Sequence, residues 1–428
     1  MSKTIYRFTR QIAIILSLFS SIILFNQGYS IRSIGNLILL LFFLATSYQY
    51  QKKFNLISAS YLFIFINLYI VFSLVASYYD CAKIIELDKT GFMKWEEYDY
   101  YPIYFCSVSI AYLFILIYLK YTCKRKTIHV SDIFIKRIQI RNIYIGIALV
   151  IFAYYLVGRN DVVVIPALSL LTILPVVDKK RRKIHLCFLF LAIVVFKGIF
   201  LSRFYVVQIV FPVIVAFLMM SKKNETKYSI LKLYLFFTLA LGIILIYGVI
   251  SEVIKLNIFY HANYKVIDFF SSKDKLLKSF MRQIYRIFII WIKDGGYIIY
   301  HVKKNGFYYG LTYIKPVASF LGLPYINLPK IAAEYNYSTY SQTGLLVEGY
   351  SNFGIIGASI NIVLVFFFME FLNNRFANNP SIRTMSFVAI PFSKVFLDGG
   401  SLSSSFVLVG ILICIYFMHF LIYFIKRK

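Results

Sequence analysis

The residues best suited to chemistry lie in a long polar stretch late in the chain, residues 251–352. One row of basic side chains there has spacings of three, four, four and seven residues: Lys275, Lys278, Arg282, Arg286 and Lys293. At 100° per residue these five fall within an arc of about 80° on one helix face. Aromatic and aliphatic residues occupy the opposite face. The pattern therefore predicts an amphipathic basic helix over 275–293 that lies flat at a membrane interface.

Two functions are open for this basic helix. Its cations contact anionic lipid headgroups if it is only an interfacial anchor. Alternatively, Lys278, Arg282 and Arg286 bind the diphosphate of a lipid-linked substrate, because guanidinium groups match phosphate oxygens in a bidentate geometry. Arg203, which follows Ser202 between two apolar runs, is the strongest single candidate for the same diphosphate, since cations at membrane depth are costly and usually functional.

Acid–base chemistry points to a second group of residues. Glu348 is one of two carboxylates between positions 294 and 370, and it could deprotonate a sugar hydroxyl. The competing interpretation is an acidic residue favoured by the dipole at a helix N-terminus. His301 is the alternative base, and Tyr350 and Asn352 are candidates for sugar binding.

Composition defines the environment in which these residues must work. The chain has 428 residues, of which 60% are hydrophobic and 15% charged, with a formal net charge of +28. An ordinary soluble domain has about a quarter of its residues charged, so this class is excluded. The basic clusters separate apolar runs, which indicates membrane topology rather than nucleic-acid binding. The five cysteines are single and form no metal-ligand motif, so we expect no metal and no cofactor.

The chain contains many apolar segments whose length is close to the roughly 20 residues of a membrane span. Twelve candidates lie near 11–27, 34–50, 56–78, 101–120, 142–158, 162–177, 184–201, 204–220, 228–250, 353–372, 384–398 and 404–425. Basic clusters in alternate connections place those connections and both termini in the cytoplasm. The polar stretch 251–352 is then external.

The stretch 306–357 resembles the Wzy-type O-antigen and capsule oligosaccharide repeat unit polymerases. The resemblance rests on a Tyr-Gly pair, two later prolines, a polar patch that leads into a span, and a Ser-Arg pair in mid-chain: Tyr309, Gly310, Pro324, Pro329, Glu348, Tyr350, Asn352, Phe353, Gly354, Gly357, Ser202 and Arg203.

That resemblance implies an all-α integral membrane protein of GT-C-like architecture, with about twelve transmembrane helices and one large external loop. Nine helices fall in residues 1–250, the loop in 251–352 and three helices in 353–428.

The activity implied is polymerisation of oligosaccharide repeats linked to undecaprenyl diphosphate, on the outer face of a bacterial inner membrane. The partners implied are this lipid-linked oligosaccharide, membrane lipid and a chain-length regulator. The alternatives are a polysaccharide-repeat flippase or transporter, and an O-antigen ligase.

Substitutions in the basic helix separate anchoring from substrate binding. If Arg282 and Arg286 bind the diphosphate, changing either to Gln should slow polymerisation at least about tenfold, a loss of about 1.4 kcal/mol in transition-state binding. Lys275→Gln, at the N-terminal end of the row, should matter much less. The measurement is chain length formed by purified enzyme from lipid-linked repeats. Equal activity in all three variants would indicate that the helix is only an interfacial anchor.

Overall fold

In the computed structural model the chain is described at residues 100–121, 137–156, 161–196, 245–251, 290–336, 344–378, 381–397 and 402–425, at residue 34, and at single or paired positions between 209 and 280. Ten α-helices occupy these ranges: α1 Tyr100–Tyr121, α2 Arg137–Leu156, α3 Asp161–Val177, α4 Arg182–Val195, α5 Ile290–Asn305, α6 Lys315–Leu321, α7 Leu328–Asn336, α8 Leu345–Asn378, α9 Ile382–Leu397 and α10 Leu402–Ile425. A 3₁₀ turn, Lys179–Arg181, joins α3 to α4.

The expected twelve-span architecture is wrong in this structure. Among the described residues, one helical stretch, Leu345–Leu372, is long and apolar enough to cross a membrane. Five other apolar helical stretches have only 10–17 residues, less than the roughly 20 that a hydrocarbon core requires. The apolar runs were therefore correctly predicted as helices in several places, but the apolar stretch within these helices is shorter than a membrane span. The candidate spans at 11–27, 34–50, 56–78, 204–220 and 228–250 lie wholly or mainly outside the described residues.

The helices belong to two compact units, each built from separated parts of the sequence. The first unit contains residues 1–126, 284–370 and 398–403, and the second contains residues 127–283, 371–397 and 404–428. Thus α1, α5, α6 and α7 lie in the first unit, and α2, α3, α4, α9 and residues 404–425 of α10 lie in the second. Residues 345–370 of α8 belong to the first unit.

The second unit is organised around α3. This helix is apolar on all sides, and its side chains from Val164 to Leu174 are almost all buried, as expected for a helix surrounded by others. It packs against α2, α4 and α9. On another side of α2, Gly146 lies against the backbone of Ile415 in α10, so closely that a Cβ atom at Gly146 would come within 2.7 Å of the Ile415 carbonyl oxygen.

The first unit supports the polar residues that the sequence analysis identified. Helix α5 packs against α1 and α7, and α1 also contacts α8 through edge-to-face rings of Tyr118 with Phe366 and Phe367. A loop at 306–314 connects α5 to α6. The side-chain ammonium of Lys315 donates to Asn327 Oδ1 over 3.0 Å, which ties the start of α6 to the start of α7.

Candidate active site at a helical hairpin

Helix α8 is interrupted near its start, and its two arms fold back on each other. Phe353 (φ −142°, ψ 23°) and Gly354 (φ 66°, ψ −152°) leave the helical conformation. Across this break, the side-chain amide of Asn361 donates to the carbonyl oxygen of Leu345 over 2.9 Å. In a continuous helix those residues would be about 24 Å apart. The arms are therefore antiparallel, and Phe353 and Gly354 form the turn of a helical hairpin.

Two glycines allow the arms of this hairpin to touch through their backbones. A Cβ atom at Gly349 would collide with the Gly357 carbonyl oxygen, and one at Gly357 would collide with the Gly349 carbonyl oxygen. Any larger side chain at either position would separate the arms. The pairings of 345 with 361 and 349 with 357 share one register.

The Tyr-Gly turn that precedes α6 docks onto the first arm. The Tyr308 amide donates to the Ser351 carbonyl over 2.9 Å, and the Gly310 amide donates to Asn352 Oδ1 over 2.8 Å. Between them, Tyr309 is the one described non-glycine residue with a positive φ, 48°. Such conformations are uncommon outside glycine and often mark functional sites. The Tyr309 side chain is 76% exposed.

Asn352 joins the turn to the hairpin. Its amide nitrogen donates to Thr312 Oγ1 over 2.5 Å and to the Glu348 carbonyl oxygen over 2.8 Å, while its oxygen accepts from Gly310. Both N–H groups and the oxygen are thus engaged within the protein, and the side chain is fully buried. This geometry makes Asn352 a positioning residue for the Glu348 helix turn.

Glu348 is buried inside the first unit, near other buried polar side chains. It is 1% exposed, and its amide donates to the Gly344 carbonyl oxygen over 3.0 Å. The Tyr313 hydroxyl donates to Asn361 Oδ1 over 2.7 Å. Burial, and next the negative charge of Glu348, raise the pKa of Tyr313 to about 12, against the opposing effect of hydrogen bonds with Asn361 and Asn352. Tyr313 is therefore a neutral hydroxyl at physiological pH, close enough to Glu348 to sense its charge.

His301 and Tyr350 each make a ring contact with a residue just before the Tyr-Gly turn. The His301 ring, on α5, lies 6.4 Å from the Tyr308 ring. Burial is the main cause that lowers the pKa of His301 below 6.5; Glu334 opposes this effect and Lys304 adds to it. The imidazole is consequently neutral at pH 7. Tyr350 is buried in the first arm, and its ring meets the Phe307 ring edge-on at 6.1 Å.

The structure thus brings together part of the predicted site. Glu348, Tyr350 and Asn352 share one helical arm, and the Tyr-Gly turn lies against it. The predicted diphosphate ligands Arg203, Lys278, Arg282 and Arg286 lie outside the described residues, as does most of the basic helix 275–293.

Sequence reasoning missed Thr312, Tyr313 and Asn361. For Asn361 a signal existed, because an amide four residues after Gly357 in an apolar segment is costly unless it is hydrogen-bonded.

Comparison with known proteins gives a family but no activity. The model of a family of unknown function, DUF6032, matches residues 3–427. No curated protein matches the sequence, and no solved structure matches the fold.

The hairpin contact predicts a clear stability difference among glycine substitutions. Gly349→Ala and Gly357→Ala should each destabilise the protein by about 1–3 kcal/mol, because a methyl group must separate two backbones in contact. Gly410→Ala is the matched control, since α10 leaves open space around Gly410 and alanine favours a helix. Thermal unfolding of the purified protein in detergent measures the effect. Equal melting temperatures for all three variants would contradict the hairpin.

Proposed function

The chain belongs to the DUF6032 family, and we propose that it is a membrane glycosyltransferase of the bacterial inner membrane. In this proposal it extends an O-antigen or capsular polysaccharide from repeat units carried on undecaprenyl diphosphate. The resemblance of residues 306–357 to the Wzy-type polymerases supports it. The observation that carries it is the buried carboxylate of Glu348, which the hairpin holds beside the Tyr313 hydroxyl.

The position of the hairpin favours a lipid-linked substrate. From Gly354 to Leu372 the second arm of α8 extends about 27 Å, close to the hydrocarbon thickness of a bilayer. Every fourth residue along it is apolar and exposed: Ile356, Ile360, Leu364 and Phe368. Such a row is expected to contact acyl chains. The turn at Phe353 and Gly354 then lies near one membrane surface, where the sugar and diphosphate of a lipid carrier are found.

The proposed reaction needs two contributions from the protein. The bond between the donor's anomeric carbon and the diphosphate oxygen breaks, and an acceptor hydroxyl oxygen forms the new glycosidic bond. Glu348 accepts the hydroxyl proton, and the lipid diphosphate leaves as an anion. Arg203, Lys278, Arg282 and Arg286 are the proposed cations that stabilise this anion, because charge-assisted hydrogen bonds to a developing negative charge lower the barrier.

Two tyrosines, Tyr313 and Tyr309, have supporting roles in the proposal. Burial raises the pKa of Tyr313 to about 12, so its hydroxyl is protonated at physiological pH and cannot act as the base. Its proton is donated to Asn361 Oδ1, so Tyr313 offers a sugar hydroxyl an acceptor oxygen. Tyr309, held in its unusual conformation with an exposed ring, is suited to stack on a sugar face.

Replacement of Glu348 tests the chemistry directly. Glu348→Gln keeps the size of the side chain but removes the base, so chain elongation should fall at least about 100-fold. The matched control is Glu334→Gln, which changes an exposed carboxylate in the same unit. Purified variants with equal melting temperatures are compared for product length on lipid-linked repeats.

His301→Gln distinguishes the alternative base. If Glu348→Gln stays within about twofold of the parent while His301→Gln is inactive, the proton acceptor is His301. If neither substitution slows elongation, the hairpin is not the catalytic site.

Deletion of the gene in its host separates the proposal from its alternatives. Loss of the polymerase should leave single repeat units on the surface acceptor. A missing glycan on a normal acceptor would indicate a ligase, and accumulation of lipid-linked repeats in the cytoplasm would indicate a flippase. Gel electrophoresis of the surface glycan, with labelled lipid-linked intermediates, gives the readout.

A further inference from the structure

A cluster of cations lies between α3 and α4 in the second unit. Residues 179–183 read Lys-Lys-Arg-Arg-Lys, and we refer to them as the basic turn. Lys180, Arg182 and Lys183 are exposed and Arg181 is half-buried. Within the described part of the chain, none of these four side chains forms an ion pair. Their charge is therefore available to an external anion.

A buried histidine fixes the shape of the basic turn. His185 Nε2 lies 3.2 Å from Asp178 Oδ2, so the two residues that bracket the five cations are joined. His185 Nδ1 lies 2.5 Å from the Tyr144 hydroxyl on α2. Because a carboxylate only accepts, Nε2–H is the donor to Asp178. Asp178 is thereby directed to the histidine and does not neutralise the neighbouring cations.

Helix α4 continues from the basic turn with an exposed apolar surface. Its exposed residues are Ile184, Leu186, Cys187, Phe188, Phe190, Leu191, Val194 and Val195. At 100° per residue they cover an arc of about 200°, whereas the buried His185 and Ala192 share the remaining side. Over 14 residues α4 extends about 21 Å, enough to cross one leaflet of a hydrocarbon core about 30 Å thick.

We propose that the basic turn and α4 together form a binding site for an anionic phospholipid. The headgroup phosphate contacts Lys180, Arg182 and Lys183, and the acyl chains lie along the exposed face of α4. The first-turn amides of α4 add to the attraction, since Arg181 gives them no side-chain cap and helix N-termini favour anions.

Charge complementarity and the adjoining apolar surface favour a lipid over a soluble anion. A free phosphate would use the cations but would leave the apolar arc of α4 exposed to water, which is unfavourable in proportion to its area. A lipid satisfies both surfaces at once. The site lies in a different unit from the Glu348 hairpin, and the proposal does not depend on the glycosyltransferase activity.

Binding by the full-length protein in detergent micelles tests the site. Native mass spectrometry counts phosphatidylglycerol molecules retained at increasing lipid concentration. Each surface cation contributes up to about a fivefold change in affinity, equivalent to 1 kcal/mol. Arg182→Gln combined with Lys183→Gln should therefore weaken retention about tenfold or more. The control combines Lys304→Gln with Lys330→Gln, which removes the same charge from exposed positions in the first unit and should change retention less than twofold.

Lipid and phosphate competitors identify the ligand chemistry. We expect phosphatidylcholine to bind much more weakly than phosphatidylglycerol, and inorganic phosphate at the same concentration not to displace the lipid. Lys180→Glu is an independent variant, because it reverses the charge of an exposed residue on the 3₁₀ turn. Its melting temperature shows whether the protein is correctly folded. Equal losses in the two double variants, equal binding of the two lipids, or displacement by inorganic phosphate would each overturn the proposal.

Discussion

The backbone contact between Gly349 and Gly357 is the constraint on which the rest of the first unit depends. Helical arms usually stay 8–10 Å apart because side chains separate them. With no Cβ atom at either position, the arms approach until the peptide groups touch. This closeness lets Asn361 reach the Leu345 carbonyl, and it requires the sharp reversal at Gly354, where a positive φ costs glycine little. The place and orientation of Glu348 follow from that reversal.

Around this contact the polar groups form a connected set. Asn352 links the Tyr-Gly turn to the Glu348 turn of helix, and Asn361 links the Tyr313 hydroxyl to the start of the hairpin. A buried polar group costs about 1–3 kcal/mol when its hydrogen bonds are lost, so these amides fix one arrangement of the loop and both arms. A backbone held in this way fixes the position of Glu348, which suits its proposed role of accepting a proton from one substrate hydroxyl.

The sequence predicted much of this site and little of its shape. The resemblance to the Wzy-type polymerases grouped Glu348, Tyr350 and Asn352 with the Tyr-Gly pair, and local pattern predicted helices through the apolar runs. It could not show that residues 345–378 contain a hairpin, because hydropathy is the same whether two apolar arms continue or fold back. The error in the span count has another cause: α1, α2 and α10 follow predicted spans, but the apolar stretch in each has only 10–17 residues. Arg203, Arg282 and Arg286 lie outside the described residues, so their predicted role stays a prediction.

The second arm of α8 and helix α4, which belong to separate units, both have exposed apolar surfaces that need to be covered. The second arm of α8 exposes Ile356, Ile360, Leu364 and Phe368, and α4 exposes an apolar arc wider than half its circumference. Surfaces of this kind in water promote aggregation, whereas lipid acyl chains cover them without loss. In each case the polar feature is found where the apolar surface begins: the hairpin turn precedes the long arm of α8, and the basic turn precedes α4. That is the depth at which a bilayer presents phosphate, so the two proposals share one ligand chemistry, a phosphate-bearing lipid: the proposed substrate carrier at the first place and the proposed bound phospholipid at the second.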